Sequence, residues 1–377
     1  SFVYYKRNLS LTLISRVRNM QEFLVGGAIR DKILGIATES TEKDYVVVDS
    51  SPEEMKSLGF RQVGKEFPVF LHPQSKEEYA LARLERKVGK GYKGFEFNTS
   101  KSVTLEQDLS RRDLTINAIA QNKDGSGEYI DPFGGLDDIK ARKLKHVSEA
   151  FTEDPVRILR TARFASRFNH LGFTIDSKTL DLMKMMVSSG EVDALTPERV
   201  FKEINLSMNS ESPSIFFEVL IESGAYQRLF PMLDMTQAAN LKLLDHENLT
   251  SEVRLALWLY DQNPSNIGLL CEHLKCPKDI QQIAELVSIW HNFVSDFLSH
   301  KPEEILNFYL KTDGLRRQKR FELILDSFKY INIDTSPIVQ LKNQLNSIKI
   351  SDLKNINIAQ ELAEERLSVI SRFINPA

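Results

Sequence analysis

Two acidic residues lie two positions apart just before a strongly apolar run. Glu42 and Asp44 flank Lys43, and residues 45–48 follow as a stretch rich in β-branched side chains, which predicts a strand. Because alternate residues of a strand point to one face, the two carboxylates would stand side by side. Paired hard oxygen ligands suit Mg²⁺ carried in with a nucleoside triphosphate. A charged strand edge exposed to water is the alternative interpretation.

A glycine pair lies about fifteen residues before the acidic pair. Residues 23–25 predict a strand, Gly26 and Gly27 a turn, and residues 28–34 a helix. Glycine permits close backbone approach, a helix N-terminus offers unpaired N–H groups, and Arg30 is placed to bind a phosphate. A purely structural turn is the alternative.

Asp154 and Arg157 lie three residues apart at the start of a predicted helix, a spacing that puts both on one face. A carboxylate accepts from an exocyclic amine, and a guanidinium donates to a ring nitrogen or a carbonyl. Cytosine and adenine both offer an amine beside a ring acceptor. Guanine and uracil would leave buried groups unpaired, at a cost of about 1–3 kcal/mol each. An ordinary ion pair at a helix start is the alternative.

The elements that must position these residues change character along the chain. Strand signals at 45–48, 67–72 and 78–84 precede a basic, glycine-rich loop near 87–94, which we expect to be mobile. After Pro132, helical spacing and helix-starting prolines predict helices at 154–168, 177–188, 197–209, 213–223, 255–261, 277–297, 302–310, 317–327 and 355–373. The predicted fold class is α+β, an N-terminal α/β domain followed by an all-α remainder.

Composition excludes several classes of protein. Among the 377 residues, 49 lysines and arginines nearly balance 52 acidic residues, so a uniformly basic nucleic-acid coat protein is excluded but a local basic groove is not. Only two cysteines, Cys271 and Cys276, argue against a disulfide scaffold and fit a reducing compartment. No apolar run approaches the roughly 20 residues that span a membrane. We therefore expect a cytoplasmic protein.

Taken in order, the motifs resemble the class II tRNA nucleotidyltransferases (CCA-adding enzymes) and bacterial poly(A) polymerases. Beyond the glycine turn and the acidic pair, residues 111–118 look like the family's ribose-recognition motif, and residues 130–135 like the turn that closes its catalytic domain. Residues 153–164 look like its nucleotide-selecting helix. Residues 67–73 and 79–87 resemble the proteobacterial CCA-adding branch. The resemblance runs from about Glu22 to Leu233 and continues weakly beyond.

This resemblance implies an enzyme that adds CMP and AMP from CTP and ATP to the tRNA 3′ end, with the protein itself as template. Glu42 and Asp44 would be the catalytic ligands of a two-metal Mg²⁺ site. Asp113 would bind the ribose, and Asn117 would bind the ribose or hold its own loop. The implied nucleotide-binding residues are Gly27, Arg30, Arg111, Arg112, Asp113, Asp154, Arg157, Arg160 and Arg163.

The resemblance also implies a division into four domains, an α/β head followed by a helical neck, body and tail. Residues 20–140 would form a nucleotidyltransferase head, 141–210 a neck with the selecting helix, 211–290 a body, and 291–377 a tail that binds tRNA. Residues 1–19 are basic and acid-free, which fits either an upstream extension or a transit peptide. No obligatory protein partner is evident. The residues proposed to contact tRNA are Lys143, Arg316, Arg317, Lys319 and Arg320. A solvated charged face is the alternative interpretation of the basic run at 311–320.

The chain departs from the family pattern at several positions. Glu42 stands where Asp is usual, which raises the alternative of a catalytically inactive RNA-binding relic. Tyr260 stands where a phosphohydrolase domain would carry a histidine, so we expect no hydrolase site there. Glu85 would be a third acidic group near the metals or part of a solvated ion cluster. Addition of CC alone, of A alone, or of poly(A) also stays open.

Overall fold

The computed structural model describes residues 20–63, 69–87, 95–98, 100–235, 238–348 and 358–375, and the side chains of 85–87, 95–98 and 238–239 are outside the description. The predictions for residues 1–19, for the loop near 87–94, for residues 67–68 and for the Glu85 side chain therefore lie outside the described residues. The chain forms two compact units. The first comprises Ser1–Leu195 and Glu222–Ala225, and the second comprises Thr196–Ile221 and Tyr226–Ala377.

A mixed six-stranded sheet is the centre of the first unit. Its strands are β1 (Gln21–Val25), β2 (Asp44–Val48), β3 (Arg61–Val63), β4 (Val69–Leu71), β5 (Glu78–Leu81) and β8 (Ala120–Asn122). They lie in the order β3-β4-β5-β2-β1-β8, and all neighbours are antiparallel except β2 and β5. Two further pairs are described: β6 (Leu84–Lys87) with β7 (Phe95–Asn98), and β9 (Lys143–Leu144) with β10 (Thr174–Ile175).

The alternation of side chains along β2 explains why this sheet is covered on both faces. Val46 packs with Phe23 and Val25 in one apolar cluster, whereas Tyr45 and Val47 pack in another on the opposite face. The helices of this unit are α1 (Gly27–Leu34), α2 (Pro52–Ser57), α3 (Leu105–Ser110), α4 (Gly135–Ala141), α5 (Val156–Phe168) and α6 (Ser177–Ser188). A one-turn 3₁₀ helix covers Thr115–Asn117.

From Thr196 onward, the described residues of the second unit contain helices and no strand. The helices that begin after Leu195 are α7 (Pro197–Ser207), α8 (Pro213–Glu222), α9 (Ala225–Leu229), α10 (Ala238–Lys242), α11 (Ser251–Leu259), α12 (Pro264–Leu274), α13 (Lys278–Ser295), α14 (Pro302–Lys311), α15 (Gln318–Tyr330), α16 (Ser336–Asn346) and α17 (Ile358–Ile374). A large apolar cluster built around Phe308, Tyr309 and Phe321 holds several of them together. Within the described segments, no helix is both long and apolar enough to cross a bilayer.

The predicted α+β class is confirmed, with an N-terminal α/β sheet domain and a mostly helical remainder. The finer division into head, neck, body and tail stays a prediction.

Candidate active site

Strand pairing brings the glycine turn next to the acidic pair. Asp44, the first residue of β2, pairs with Val25, the last residue of β1, immediately before Gly26. Gly26 has φ +73°, and its N–H donates to the Ile119 carbonyl over 3.1 Å. A Cβ at Gly26 would lie 3.1 Å from Nη1 of Arg112. The turn, Asp44 and Arg112 therefore meet at one edge of the sheet.

The second carboxylate, that of Glu42, lies two residues before Asp44 in the chain. Glu42 lies before the strand, which begins only at Asp44, and both residues are open to solvent on one side. Surrounding protein atoms desolvate the Asp44 carboxylate and raise its pKa, Arg112 opposes that rise, and Glu42 adds to it by repulsion. Glu42 therefore adds a second negative charge in the neighbourhood of Asp44, although Glu42 is not part of the strand.

The donor set at this edge fits a hard divalent cation. Glu42 and Asp44 offer only oxygen atoms, and no group of three His, Cys, Asp or Glu side chains gathers anywhere in the part of the chain that the structure describes. Mg²⁺ is typically held by one or two carboxylates together with substrate phosphates and water. Two carboxylates beside an arginine and a glycine turn match that pattern better than they match a closed structural metal site.

Arg30 is buried at the start of α1, with only 3% of its surface exposed. Its Nε and Nη2 donate to Oδ1 of Asp31 over 2.8 and 2.7 Å, and its Nη1 donates to Oδ1 of Asn117 over 2.5 Å. The guanidinium also lies 5.1 Å from the ring centre of Phe164 and 4.9 Å from that of Phe168. Arg30 thus fastens α1 to α5, and a direct phosphate contact by its guanidinium stays a prediction.

Asp113 is buried, and both of its carboxylate oxygens are fully engaged. Oδ1 accepts the Leu114 N–H over 2.8 Å and Nδ2 of Asn117 over 3.0 Å, while Oδ2 accepts Nε and Nη2 of Arg160, each over 2.8 Å. Burial alone would raise the pKa of Asp113, but Arg160 and these hydrogen bonds outweigh it and hold the pKa well below its ordinary range. Four donors use all the acceptor positions of a carboxylate.

The two neighbouring arginines of this motif have different surroundings. Arg111 donates through Nη2 to Oδ1 of Asp108 over 2.6 Å and through Nε to the Arg83 carbonyl over 3.1 Å. Arg112 makes a longer contact of 3.4 Å with Asp108 and extends beside the Gly26 turn. Asp108 is fully buried, and it is a site residue that sequence reasoning missed. Asp108 lies on α3, and its spacing of three and four from the arginines that follow the helix could have revealed it.

The structure corrects the expectation that Asp154 and Arg157 lie on one helix. α5 begins at Val156, so Asp154 lies before it in extended conformation, and its Oδ1 accepts the Val156 N–H over 3.1 Å. Arg157 is buried in the first turn, where Nη1 donates to the Ala150 carbonyl over 2.6 Å and Nη2 to the Arg111 carbonyl over 2.5 Å. The physical reason is helix capping: a side chain that accepts a first-turn N–H belongs before the helix.

The outer arginines of α5 share an aromatic neighbour. The guanidinium carbons of Arg160 and Arg163 lie 5.6 and 4.5 Å from the ring centre of Phe164. One turn further, Arg167 donates to Oδ2 of Asp31 over 2.9 Å, a link to α1 that sequence reasoning also missed. Its spacing from Arg160 and Arg163 along α5 was the available signal. The arginines of α5 thus lie beside two buried carboxylates: Arg160 contacts Asp113, and Arg167 contacts Asp31.

The residues proposed to contact RNA differ in exposure. In the first unit, Lys143 is partly buried, and its Nζ donates to Oγ1 of Thr174 over 3.0 Å. In the second unit, Arg316, Arg317 and Lys319 are exposed. Arg320 is instead partly buried, where it donates to Oε1 of Gln282 and to the Thr312 carbonyl, each over 2.8 Å. Arg320 is therefore held within its own unit.

Tyr260 follows α11 and stands where a phosphohydrolase domain would carry a histidine. In the structure it takes part in a polar contact. Its hydroxyl donates to Oδ1 of Asn240 over 3.2 Å, and Nδ2 of Asn240 donates to Oδ2 of Asp261 over 2.7 Å. Tyr260 and Asp261 therefore fix the same amide from two sides. This gives both residues a structural contact within the second unit.

Two family models match the chain. One, described as the poly A polymerase head domain, matches residues 22–145. The other, described as a probable RNA and SrmB-binding site of polymerase A, matches residues 172–236. The first match contains the sheet, the glycine turn, the acidic pair and Asp113. It ends before Asp154 and α5, so these lie between the two matched regions.

Curated relatives match over almost the whole chain. A CCA-adding enzyme from Coxiella burnetii is 44% identical over 373 residues, which cover 95% of this chain and 97% of that protein. A multifunctional CCA protein from Nitrosococcus oceani is 40% identical over 410 residues, with 94% and 99% covered. Both values lie well above the level at which homology is in question.

Solved structures share the fold. A complex of a CCA-adding enzyme with ATP has a TM-score of 0.68 and 21% identity, and covers 97% of this chain and 90% of that one. The Thermotoga maritima CCA-adding enzyme complexed with tRNA has a TM-score of 0.65 and 19% identity, with 97% and 95% covered. At these identities the likeness is one of fold.

Proposed function

The chain belongs to the family of CCA-adding enzymes and multifunctional CCA proteins, and from that premise we propose that it adds CMP and AMP, taken from CTP and ATP, to the 3′ end of tRNA. The reaction is nucleotidyl transfer without a nucleic-acid template. The observation that carries the proposal is the meeting of Asp44, Glu42, Arg112 and the Gly26 turn at one sheet edge, in a chain with 44% identity to a CCA-adding enzyme.

Proteins of this family generally work with a divalent metal ion, and Mg²⁺ is the ion that we propose here. Glu42 and Asp44 would hold a two-metal site. When bound, the ions would favour ionisation of the RNA 3′-hydroxyl and neutralise charge as pyrophosphate leaves. Arg112 lies beside Asp44, so it would bind a phosphate oxygen next to the metals and limit the excess of negative charge.

The triphosphate would lie along the glycine turn. Gly27, which opens α1, offers a backbone N–H, and a larger residue at Gly26 would crowd Arg112. Arg112, Arg160 and Arg163 supply guanidinium groups from two different segments. Arg30 supports the turn from beneath through Asp31 and Asn117.

Ribose binding by Asp113 would require Arg160 to move. All acceptor positions of the Asp113 carboxylate are occupied, two of them by Arg160, so a ribose hydroxyl must replace at least one of these bonds. The incoming triphosphate offers Arg160 another anion to bind. Nucleotide entry would thus exchange one partner of Arg160 for another, which preserves a charge-assisted bond on both sides.

Base selection would belong to Asp154 and Arg157. Asp154 precedes α5 and is half-buried, so a donor such as an exocyclic amine could reach its side chain. Arg157 is held by two carbonyl groups, one of them that of Arg111, so its orientation depends on the ribose motif. A pair fixed in this way would discriminate by leaving guanine or uracil groups unpaired, at about 1–3 kcal/mol each.

Binding of tRNA would use the exposed cations Arg316, Arg317 and Lys319, with Lys143 as a contact of the first unit. A cytoplasmic location is part of the proposal, because the substrate is tRNA and the chain has only two cysteines. Glu42 in place of the usual Asp is the observation that keeps an inactive RNA-binding relic as the second candidate.

The test is incubation with tRNAs that end at the discriminator base, at C or at CC, each with one labelled nucleotide at a time. We expect CMP to be added to the first two substrates and AMP to the third, with no addition of GMP or UMP. Addition of CMP alone or of AMP alone would assign a split activity, and open-ended AMP tails would assign poly(A) synthesis. No incorporation of any nucleotide by folded protein would leave the RNA-binding relic.

A further inference from the structure

The only two cysteines of the chain meet at the C-terminal end of α12. Lys275 adopts the left-handed conformation (φ 54°, ψ 43°), and the Cys276 N–H donates to the Cys271 carbonyl over 2.9 Å. This hydrogen bond between residues five apart, closed by a left-handed residue, defines a Schellman motif. A Schellman motif is frequently accompanied by contact between two side chains: that of the residue after the left-handed one, and that of the residue whose carbonyl accepts its N–H. Here these two residues are Cys276 and Cys271. The helix end therefore presses the two thiols together.

The surroundings of the two thiols are apolar and shared. Cys271 and Cys276 both line one small cavity with Leu270, Leu274 and Trp258. Cys271 is 3% exposed, whereas Cys276 lies partly at the surface. The Schellman motif and the shared cavity thus bring the two thiols to the same place. Cys276 lies nearer the solvent, and Cys271 lies deeper beside the same cavity.

We propose that Cys271 and Cys276 are an oxidisable dithiol, which a peroxide converts to an intramolecular disulfide at the end of α12. In the first step the Cys276 thiolate attacks a peroxide oxygen, so that Cys276 becomes a sulfenic acid and hydroxide leaves. In the second step the Cys271 sulfur attacks the sulfenic sulfur, the S–S bond forms, and water leaves with the Cys271 proton. Two thiols and one hydrogen peroxide give one disulfide and two waters.

The order of the two steps follows from the environment of each sulfur. Hydrogen bonding by the neighbouring Cys271 thiol favours the Cys276 thiolate and lowers the pKa of Cys276. The same bond, together with burial, raises the pKa of Cys271. The more exposed sulfur is therefore also the more nucleophilic one, and the buried sulfur resolves the intermediate. The proposal is independent of the tRNA reaction, since neither cysteine belongs to the candidate active site.

The test uses the full-length chain and hydrogen peroxide. After treatment, remaining thiols are alkylated in denaturant and the intact mass is measured, followed by peptide mapping. We expect a species that has lost two hydrogens, carries no alkyl group and regains two alkylation sites after reduction. Persistence of both thiols, or a disulfide between two copies of the chain on a non-reducing gel, would overturn the proposal.

Two matched variants test the assigned order. In C271S, dimedone should trap a sulfenic acid at Cys276, because the resolving sulfur is gone. In C276S, the buried Cys271 should neither react with dimedone nor lose its thiol at the same peroxide dose. Dimedone labelling of Cys271 at a rate equal to that of Cys276 would overturn the assignment. The wild-type mass measurement does not depend on the folding of either variant.

Discussion

At the scale of single residues, the central question is what an extra methylene does at position 42. Glu42 is exposed and lies before the strand, so its backbone is not held by the ladder that fixes Asp44. A longer side chain on a less constrained segment can bring its carboxylate to the place that an aspartate would reach from a closer backbone. The position therefore requires a negative oxygen ligand more than it requires one chain length.

This argument predicts different outcomes for two substitutions of Glu42. Glu42→Asp keeps the carboxylate and should retain nucleotide incorporation within about tenfold, a change of about 1.4 kcal/mol in the barrier. Glu42→Gln removes a charged metal ligand and should lower the rate by on the order of a hundredfold or more, since even outer-shell partners of metals cost 10–100-fold. Single-turnover CMP incorporation into tRNA measures both rates.

The exposed neighbour Glu39 supplies the control, because Glu39→Gln makes the same chemical change three residues before Glu42. It should leave incorporation unchanged. If Glu42→Gln is as active as Glu39→Gln while Asp44→Asn is inactive, Glu42 is not a metal ligand in this chain.

At the scale of elements, the turn between β1 and α1 requires glycine for two reasons, backbone conformation and close approach of a side chain. Gly26 has φ +73°, which an L side chain adopts only at a cost, and a Cβ there would lie 3.1 Å from Nη1 of Arg112. Gly35, which ends the same helix, has φ +71°, but a Cβ there would meet no atom within 4 Å. Both glycines have a positive φ, but ψ is 20° at Gly35, in the left-handed helical region, and −129° at Gly26, where few residues other than glycine lie. Only Gly26 also has the close approach to Arg112.

The comparison of Gly26→Ala with Gly35→Ala therefore separates backbone strain from site geometry. Gly35→Ala should lose about 1–2 kcal/mol of unfolding free energy through its left-handed backbone, and Gly26→Ala should lose more, because φ 73° with ψ −129° suits glycine almost alone. Urea denaturation measures both losses. Only Gly26→Ala should also displace Arg112 and raise the KM for CTP and ATP. An equal rise in KM for Gly35→Ala would show that the effect is transmitted through helix stability and not through Arg112.

Local signals predicted many elements and missed others for identifiable reasons. The helix at 177–188 was predicted with the bounds that the structure has, and the proline-led helix at Pro302 ends within one residue of its prediction. α12 was missed although Pro264 opens it, because Gly268 lowers helix propensity within it. Burial of Ile267 and Leu274 compensates there. Such tertiary stabilisation is invisible in a local window.

The candidate site was predictable as a set of residue types and much less so as a set of contacts. The order of motifs selected the acidic pair, the ribose motif and the start of α5. The partners of Arg30 were not predictable, because Asn117 and Phe164 lie 87 and 134 positions away in sequence. Asp113 was expected to meet a ribose, whereas in the structure its carboxylate holds Arg160. Distances between distant segments depend on the packing of the whole unit.

At the scale of the whole molecule, the formal charge of −3 hides a local excess of cations on the second unit. Arg316 and Lys319 are exposed within a run that contains few acids, and Arg316 has 86% of its side chain accessible. Binding to a polyanion depends on such local density rather than on the sum over the chain. Each phosphate that a lysine or arginine neutralises releases counterions and adds to the salt dependence of binding.

The last prediction follows from this counterion release. The double variant R316Q/K319Q should bind tRNA more weakly, and the slope of log K against log salt should fall in magnitude by about 1–2, since each phosphate contact contributes about 0.7–0.9. The matched double variant K278Q/K329Q removes two exposed lysines elsewhere on the same unit and changes the net charge equally. Titration of labelled tRNA at several salt concentrations measures both slopes. If the two variants lose the same slope, binding depends on net charge alone, and the assignment of these residues to a tRNA contact is wrong.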